Sequence, residues 1–267
     1  MARVPVSVVA ALALAGGLAS CSSSSAKPSA AKASTTTAAA PTTTAAGSTP
    51  TSTSASRSGS TSTTTASPDT AIAARAALTA TDLPGFTAEP APEPTAAQIA
   101  QNRAFARCVG SDPELVDTTI PPGEVEHLFV EGDINIANTV QVFASTAAAG
   151  PRFQAYASPA AHMCLVSLYK SQLAAGAAQQ HVQIGAVTAA DLGGSVNIQV
   201  NHATDVAYRL TATLDTPQEQ VNEYVDIVAA MRGRTVVLVE ASTAGQPYGA
   251  VADAALMNKV LGRLPAT

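Results

Sequence analysis

A tract of 47 residues, Ser22–Pro68, consists almost entirely of serine, threonine, alanine and proline. It contains almost no large apolar side chain, so it cannot bury enough surface to offset the conformational entropy lost on folding. We therefore expect a disordered stalk with a mean reach of roughly 35–40 Å, which confines any folded domain to residues 69–267. Such a tract either carries O-linked sugars or stays an unmodified tether, and both alternatives remain open.

The segment before the stalk has the features of an export signal. Arg3 is followed by an apolar stretch, Val6–Leu18, which is shorter than the roughly 20 residues needed to span a bilayer. The next four positions, Leu18-Ala19-Ser20-Cys21, are similar to the lipobox of bacterial lipoproteins. That resemblance implies that residues 1–20 are a cleaved signal peptide. It also implies that Cys21 carries lipid, including palmitate, and anchors residues 21–68 to the extracytoplasmic face of the cell membrane. The alternative is an ordinary signal peptide with an incidental Cys21.

Charge is divided unevenly along the chain. The residues before Asp69 include four basic side chains and no acidic one, whereas the remainder has 19 acidic and 10 basic residues and a net charge of about −9. An acidic domain without a basic patch is repelled by phosphate backbones, so we expect no nucleic-acid partner. Aromatic residues make up 4% of the chain and tryptophan is absent, which argues against a stacking platform for sugars.

Hydrophobic periodicity predicts four helices in residues 69–267. Asp69 is the expected N-cap of the first helix, and Pro159 is expected to kink or divide the third. The predicted helices are Thr70–Thr79, Thr95–Val109, Ala147–Ala175 and Val251–Leu264.

Period-two alternation predicts strands in most of the rest. "EHLFVEGDINIANTVQVFAS" favours two strands joined at Gly132-Asp133, and "HVQIGAV", "SVNIQVN" and "VAYRLTATL" favour three more. "VNEYVDIVAAMRGRTVVLVEAS" is typical of a hairpin with Arg232-Gly233 as its loop. In that register Ile227 faces Leu238, Ala229 faces Val236, and Val228 faces Val237 on the other side. Hairpin connections between such strands predict a single α+β domain, with an antiparallel β-sheet packed with helices.

Two cysteines remain in the domain if Cys21 is lipidated. An even number of cysteines in an oxidising compartment predicts a disulfide, here between Cys108 and Cys164. The alternative is a redox or nucleophilic thiol, but the chain has no CxxC motif.

The order of these segments supports a second resemblance. "AALTATDLPGFT", a helix ending in cysteine, "NTVQVFAS" before a long helix with its own cysteine, and "YVDIVAAMRGRTVVLV" resemble a group of actinobacterial secreted domains. The group includes uncharacterised lipoproteins and the extracellular sensor domain of the PknH-type kinases. Those sensors have two disulfides and a tryptophan shortly before the long-helix cysteine, where this chain has one cysteine pair and "PAAHMC". The resemblance implies an α+β domain with a ligand-binding cleft.

No catalytic signature accompanies this fold. GxSxG, GxGxxG, Walker and HExxH motifs are all absent, so we assign no catalytic residue, no metal ligand and no cofactor. The stretch "GEVEHLFVEGD" groups several residues that could bind a cation, although a solvated strand edge and hairpin loop is the simpler interpretation. These residues are Glu124, Glu126, His127, Glu131 and Asp133.

One carboxylate in the predicted sheet requires a partner. Asp226 lies in mid-strand, flanked on its own face by Tyr224 and Val228, and a carboxylate on an apolar face must find a partner or water. Arg209, on a neighbouring predicted strand, can provide one. The pair is either a structural ion pair or the polar anchor of a binding groove. We therefore take Arg209, Tyr224 and Asp226 as candidate ligand-binding residues.

These observations favour a membrane-anchored lipoprotein of the cell envelope. We expect its domain to bind or sense an envelope ligand, which is a lipid, a glycan fragment or a protein. The alternative is a structural or interaction lipoprotein with no small ligand, and an enzyme is the least favoured class. The sequence does not specify the oligomeric state.

Overall fold

The computed structural model describes residues 67–92, 95–111, 121, 123–180, 182–200, 202–217 and 219–265. The predicted signal peptide, the lipidated Cys21 and almost all of the predicted stalk lie outside the described residues. Within them, the predicted α+β class is confirmed, because a seven-stranded antiparallel sheet is packed with five helices in one domain.

The sheet has the strand order β1-β2-β3-β7-β6-β5-β4, and every neighbouring pair is antiparallel. Strands β6 and β7 are central, as their apolar faces predict, and both faces of this hairpin are buried. The strands are β1 (Thr87–Glu89), β2 (Gly123–Glu131), β3 (Ile134–Val142), β4 (Gln183–Asp191), β5 (Ala203–Asp215), β6 (Gln220–Arg232) and β7 (Thr235–Ala244).

Helices cover both faces of the sheet. The face that includes Val228 of β6, called face A here, is covered by two helices, α1 and α5. The opposite face, called face B, includes Ile227 and is covered by α3 and α4, with α2 packed on α4. The helices are α1 (Pro68–Ala76), α2 (Ala96–Cys108), α3 (Thr146–Ala157), α4 (Ala161–Gln180) and α5 (Ala250–Arg263). None of the helices in these described segments is long and apolar enough to cross a membrane.

Side-chain caps fix where the helices begin. Ser67, rather than the predicted Asp69, caps α1, because its hydroxyl accepts a hydrogen bond from the Thr70 backbone amide. Thr95 and Gln98 form a reciprocal capping box at the start of α2. The predicted long helix is divided into α3 and α4 as expected. Ser158 is extended, because the ring of Pro159 disfavours the helical conformation of the residue before it.

The β6–β7 register differs by two residues from the prediction. Ala229 is opposite Leu238, and Ile227 is opposite Glu240, because the loop is Gly233-Arg234 and not Arg232-Gly233. Gly233 has φ +58°, and a two-residue hairpin loop favours glycine with positive φ at its first central position. Gly132, with φ +59°, begins the β2–β3 loop in the same way, and there the predicted position is confirmed.

The predicted strand "SVNIQVN" is wrong. Ser195–Val200 is irregular, although Val196 is buried in the face A core and Ile198 packs against it. Asn258 of α5 holds this segment, since its side chain accepts a hydrogen bond from the Gln199 amide and donates one to the Asn197 carbonyl oxygen. The alternation therefore reflects packing beside α5 and not strand pairing.

The predicted disulfide is confirmed. Cys108, the last residue of α2, is bonded to Cys164 in α4, with a Cα–Cα distance of 5.8 Å. Phe105 lies one turn earlier in α2, and its ring is 5.9 Å from that of Tyr156 in α3. The disulfide therefore fixes α2 to the helical layer that covers face B.

Candidate functional site

The predicted ion pair between Arg209 and Asp226 is confirmed. The two residues are directly opposite each other on β5 and β6, on face A. Arg209 donates from Nε to Asp226 Oδ1 and from Nη2 to Oδ2, each at 2.6 Å. The Asp226 side chain is fully buried and that of Arg209 is 21% exposed. This bidentate geometry is the strong form of an arginine–carboxylate pair.

A second carboxyl group, that of Asp253, is buried beside this pair and was not identified from the sequence. It lies in the first turn of α5, is 1% exposed, and neither of its oxygens accepts a hydrogen bond from an N–H or hydroxyl group of the described residues. Burial, followed by the negative charge of Asp226 and a hydrogen bond to it, raises the pKa of Asp253 to about 8. Asp253 is therefore mostly protonated at neutral pH.

The sequence does contain a signal for Asp253. It is spaced by three, four and seven residues from Leu256, Met257 and Val260, all of which are buried on the inner side of α5. An acidic residue in the first turn of a helix is usually exposed, where it interacts favourably with the helix dipole. The burial of Asp253 was therefore not recognised from the sequence.

The residues around Asp226 form a closed cluster. Tyr224 lies two positions earlier on the same face and is partly exposed. The hydrogen bond to Asp226 is the main cause of the raised pKa of Arg209, and Tyr224 is close enough to raise it slightly further. The Gly249 amide, at the start of α5, approaches Asp226 Oδ2 at 3.4 Å. The geometry is that of a structural contact between sheet and helix. A ligand-binding role for Arg209, Tyr224 and Asp226 stays a prediction.

Face B has a more open polar region where β2, β3 and β7 lie side by side. Glu124 of β2 is opposite Gln141 of β3, and Glu126 is opposite Thr139 in the next row on this face. Because α3 packs mainly against β5, β6 and β7, both glutamates remain partly exposed. Alternation in β7 directs Glu240 to the same face.

A small depression of about 10 Å³, roughly the size of one water molecule, lies where α3 packs on β3 and β7. Arg152 of α3 reaches across it and donates from Nε to Gln141 Oε1 at 3.1 Å. The depression is bordered by polar groups and by two apolar side chains of β7. The lining residues are Thr139, Gln141, Arg152, Tyr156, Val236 and Leu238.

The three carboxyl groups on this face, of Glu124, Glu126 and Glu240, are called the face B cluster below. Glu240 is 5% exposed, and its Oε1 has no hydrogen-bond partner among the described residues. Burial raises the pKa of Glu240 well above its usual value, and the nearby charge of Glu126 raises it further. Burial and the charge of Glu124 raise the pKa of Glu126 to about 7. Burial also raises the pKa of Glu124, while Arg152 lowers it.

The acidic group predicted from "GEVEHLFVEGD" is divided between the two faces. Glu124 and Glu126 lie on face B, whereas His127 points to face A with its Nδ1 2.7 Å from the Leu78 carbonyl oxygen. Glu131 also lies on face A, near Gly85. Among the described residues, no three histidine, cysteine, aspartate or glutamate side chains converge as metal ligands. The five residues therefore do not form one cation site.

The chain matches no protein-family model, and it matches none of the curated proteins. Among solved structures, it is similar to the extracellular domain of PknH from Mycobacterium tuberculosis. The similarity covers 73% of this chain and 95% of that one, at 10% identity and a TM-score of 0.39. The resemblance noted in the sequence thus recurs at low similarity, and no ligand or activity follows from it.

Proposed function

We propose that this protein is a lipid-anchored lipoprotein of the cell envelope whose domain binds or senses a small envelope ligand without catalysing a reaction. The observation that carries the proposal is the buried carboxyl group of Glu240 on face B, whose Oε1 has no hydrogen-bond partner among the described residues. Buried polar atoms of native proteins are usually paired, so an unpaired carboxyl oxygen is a candidate contact for a ligand.

The proposed location rests on two features. The lipobox at Leu18–Cys21 and the polar stalk after it suit a chain exported and held at a membrane. The Cys108–Cys164 disulfide suits the oxidising space outside the cytoplasm.

Native mass spectrometry tests the proposal. The full chain, purified in mild detergent from an actinobacterial host, is weighed before and after denaturation. A mass excess that disappears on unfolding is the expected result, and the identity of the lost mass gives the class of ligand. A bare mass, unchanged after incubation with envelope extract, contradicts small-ligand binding.

The size of the depression favours a second candidate function. At about 10 Å³ it is far smaller than the roughly 300–1,000 Å³ of typical small-molecule pockets. A depression of that size holds no small molecule, so this part of face B suits a contact surface for a protein partner. Crosslinking in intact cells through a photoreactive residue at Glu124 distinguishes the two functions, because a structural lipoprotein gives a discrete protein adduct.

A further inference from the structure

The Cys108–Cys164 disulfide has one exposed end and one buried end. Cys108, the last residue of α2, is exposed to solvent, whereas Cys164 is 2% exposed and lies in the apolar core under face B. An attacking thiol must reach one of the two sulfur atoms, so exposed disulfides are reduced more easily than enclosed ones. The bond is therefore open to external thiols from the Cys108 side.

The position of each cysteine in its helix favours the same direction of attack. Cys164 is the fourth residue of α4, and its amide donates a hydrogen bond to the Ala160 carbonyl oxygen, so it lies in the first turn. The positive end of the α4 dipole stabilises a negative charge there, whereas the negative end of the α2 dipole disfavours one on Cys108. When the bond breaks, the electron pair is therefore better placed on the Cys164 sulfur.

The docking of α2 depends on few contacts besides this bond. Among the described elements, α2 packs chiefly against α4. It buries Asn102, Phe105 and Ala106, of which Phe105 alone is large and apolar. With 13 residues, α2 is also a short helix, and isolated helices shorter than about 12–15 residues are marginal in water. The helix therefore needs its docked position to stay well ordered.

Asn102 weakens the contact between α2 and the domain. The residue is 9% exposed, and its Oδ1 has no hydrogen-bond partner among the described residues. A buried carbonyl oxygen without a donor loses its bonds to water and gains none in return, so this atom favours release of α2 into solvent. The disulfide opposes that release.

We propose that the Cys108–Cys164 bond is a redox-sensitive lock, whose reduction by an external thiol releases α2 from α4 while the sheet stays folded. The seven strands pair with one another without α2, so the sheet does not need it. Release uncovers the apolar surface that Phe105 covers, including the ring of Tyr156, 5.9 Å away. The lock does not depend on the face B cluster or on the ligand proposed there.

The reduction is a two-step thiol–disulfide exchange. In the first step an external thiolate forms a bond to the Cys108 sulfur, the Cys108–Cys164 bond breaks, and its electron pair stays on Cys164 as a thiolate. In the second step another external thiolate attacks the external sulfur of this mixed disulfide and leaves Cys108 as a thiolate. Two external thiols are thus oxidised to one small disulfide, and the protein disulfide is reduced.

Hydrogen exchange with mass spectrometry tests the lock on the full chain in detergent, before and after reduction with dithiothreitol. We expect exchange in α2 to rise about tenfold or more on reduction, because a released helix opens locally, and exchange in β6 and β7 to change less than about twofold. Peptide mapping after brief reaction with reduced glutathione should find the mixed disulfide on Cys108 and not on Cys164.

Two variants of α2 separate a lock from a purely structural disulfide. Asn102→Leu replaces the unpaired oxygen with an apolar side chain, so α2 should stay docked after reduction and its exchange should rise less than about threefold. Ala104→Leu adds a leucine at an exposed position of the same helix and should respond to reduction as the wild type does. Both variants keep the disulfide, so both can fold with it in place.

Several results overturn the inference. Unchanged exchange in α2 after reduction does so, and so does an equal rise in β6 and β7, which is the result for a purely structural disulfide. A glutathione adduct on Cys164, or no adduct on the folded protein, contradicts the direction of attack. Equal exchange in reduced Asn102→Leu and reduced Ala104→Leu contradicts the role of the contact at Asn102.

Discussion

Asp253 on α5 is buried close to Asp226 on β6, and the negative charge of Asp226 adds to burial in raising the pKa of Asp253. Arg209 forms an ion pair with Asp226, so the three groups have a net charge near zero as long as Asp253 keeps its proton. Because one of the two carboxyl groups must keep its proton, the contact between α5 and the sheet depends on pH.

The pH dependence of stability is the first prediction. Asp253 has a folded pKa of about 8 against an ordinary 3.8, so the folded state binds this proton more tightly than the unfolded state does. Its contribution is therefore complete below about pH 4 and is lost as the pH rises through 8. Glu126 and Glu223, with pKa values raised to about 7 by burial, act in the same direction. We expect urea unfolding to give a lower free energy of unfolding at pH 8.5 than at pH 5.

Asp253→Asn is the matched variant for this effect. An amide keeps the size of the side chain and a donor toward Asp226 but has no proton to lose. We expect the variant to be more stable than the wild type at pH 8.5 by at least about 1 kcal/mol, and to lose less stability between pH 5 and 8.5. Parallel pH curves for the two proteins would show that Asp253 is not the titrating group.

The ion pair itself gives the second prediction. Asp226→Asn leaves the Arg209 guanidinium group without its charged partner beneath α5. Breaking a buried pair by removing one member costs about 3–5 kcal/mol, and because Arg209 is partly exposed we expect about 2–4 kcal/mol. The double variant Arg209→Met/Asp226→Leu removes both charges and should recover part of that loss. Equal destabilisation by the single and double variants in urea unfolding contradicts this account.

The disulfide gives the third prediction. The Cys108–Cys164 bond links residues 56 positions apart, and for such a loop the chain-entropy estimate is about 4 kcal/mol as an upper value. We expect the double Cys→Ser variant to lose about 2–4 kcal/mol in urea unfolding. Non-reducing peptide mapping of the wild type should recover the two cysteines in one linked peptide pair. Recovery of both as free thiols would exclude the disulfide in the native protein.

The anchor gives the fourth prediction. Cys21→Ala removes the residue that the lipobox resemblance identifies as lipidated. We expect the variant to be released from the membrane fraction into the medium, whereas Ser22→Ala, its neighbour, should remain membrane-bound. Tight membrane fractionation of Cys21→Ala would contradict lipid anchoring through this residue.

The sequence predicts this fold best where one local rule dominates. Period-two alternation places Ile227 and Val228 on the correct opposite faces, and Pro159 divides the long helical segment where steric rules require it. The predicted β6–β7 register is wrong by two residues, because the prediction placed Gly233 at the second position of the loop and it lies at the first. A shift of two residues preserves the faces, so the core was correct while the cross-strand pairs were not.

The candidate site on face A was partly predictable, and the one on face B was not. Arg209 and Asp226 lie in adjacent strands of a hairpin, so their pairing follows from local register. Glu126 and Glu240 are more than a hundred residues apart and lie on the same face of neighbouring strands only because β3 pairs with both β2 and β7. No local pattern encodes that non-consecutive strand order.

The most direct test of the central claim, a ligand bound on face B, compares co-purified ligand in two variants by native mass spectrometry. Arg152→Gln alters the depression, and Tyr224→Phe conservatively alters the site predicted from sequence on face A. We predict that Arg152→Gln loses the mass excess and Tyr224→Phe retains it. Loss in Tyr224→Phe with retention in Arg152→Gln would place the ligand on face A and contradict this account.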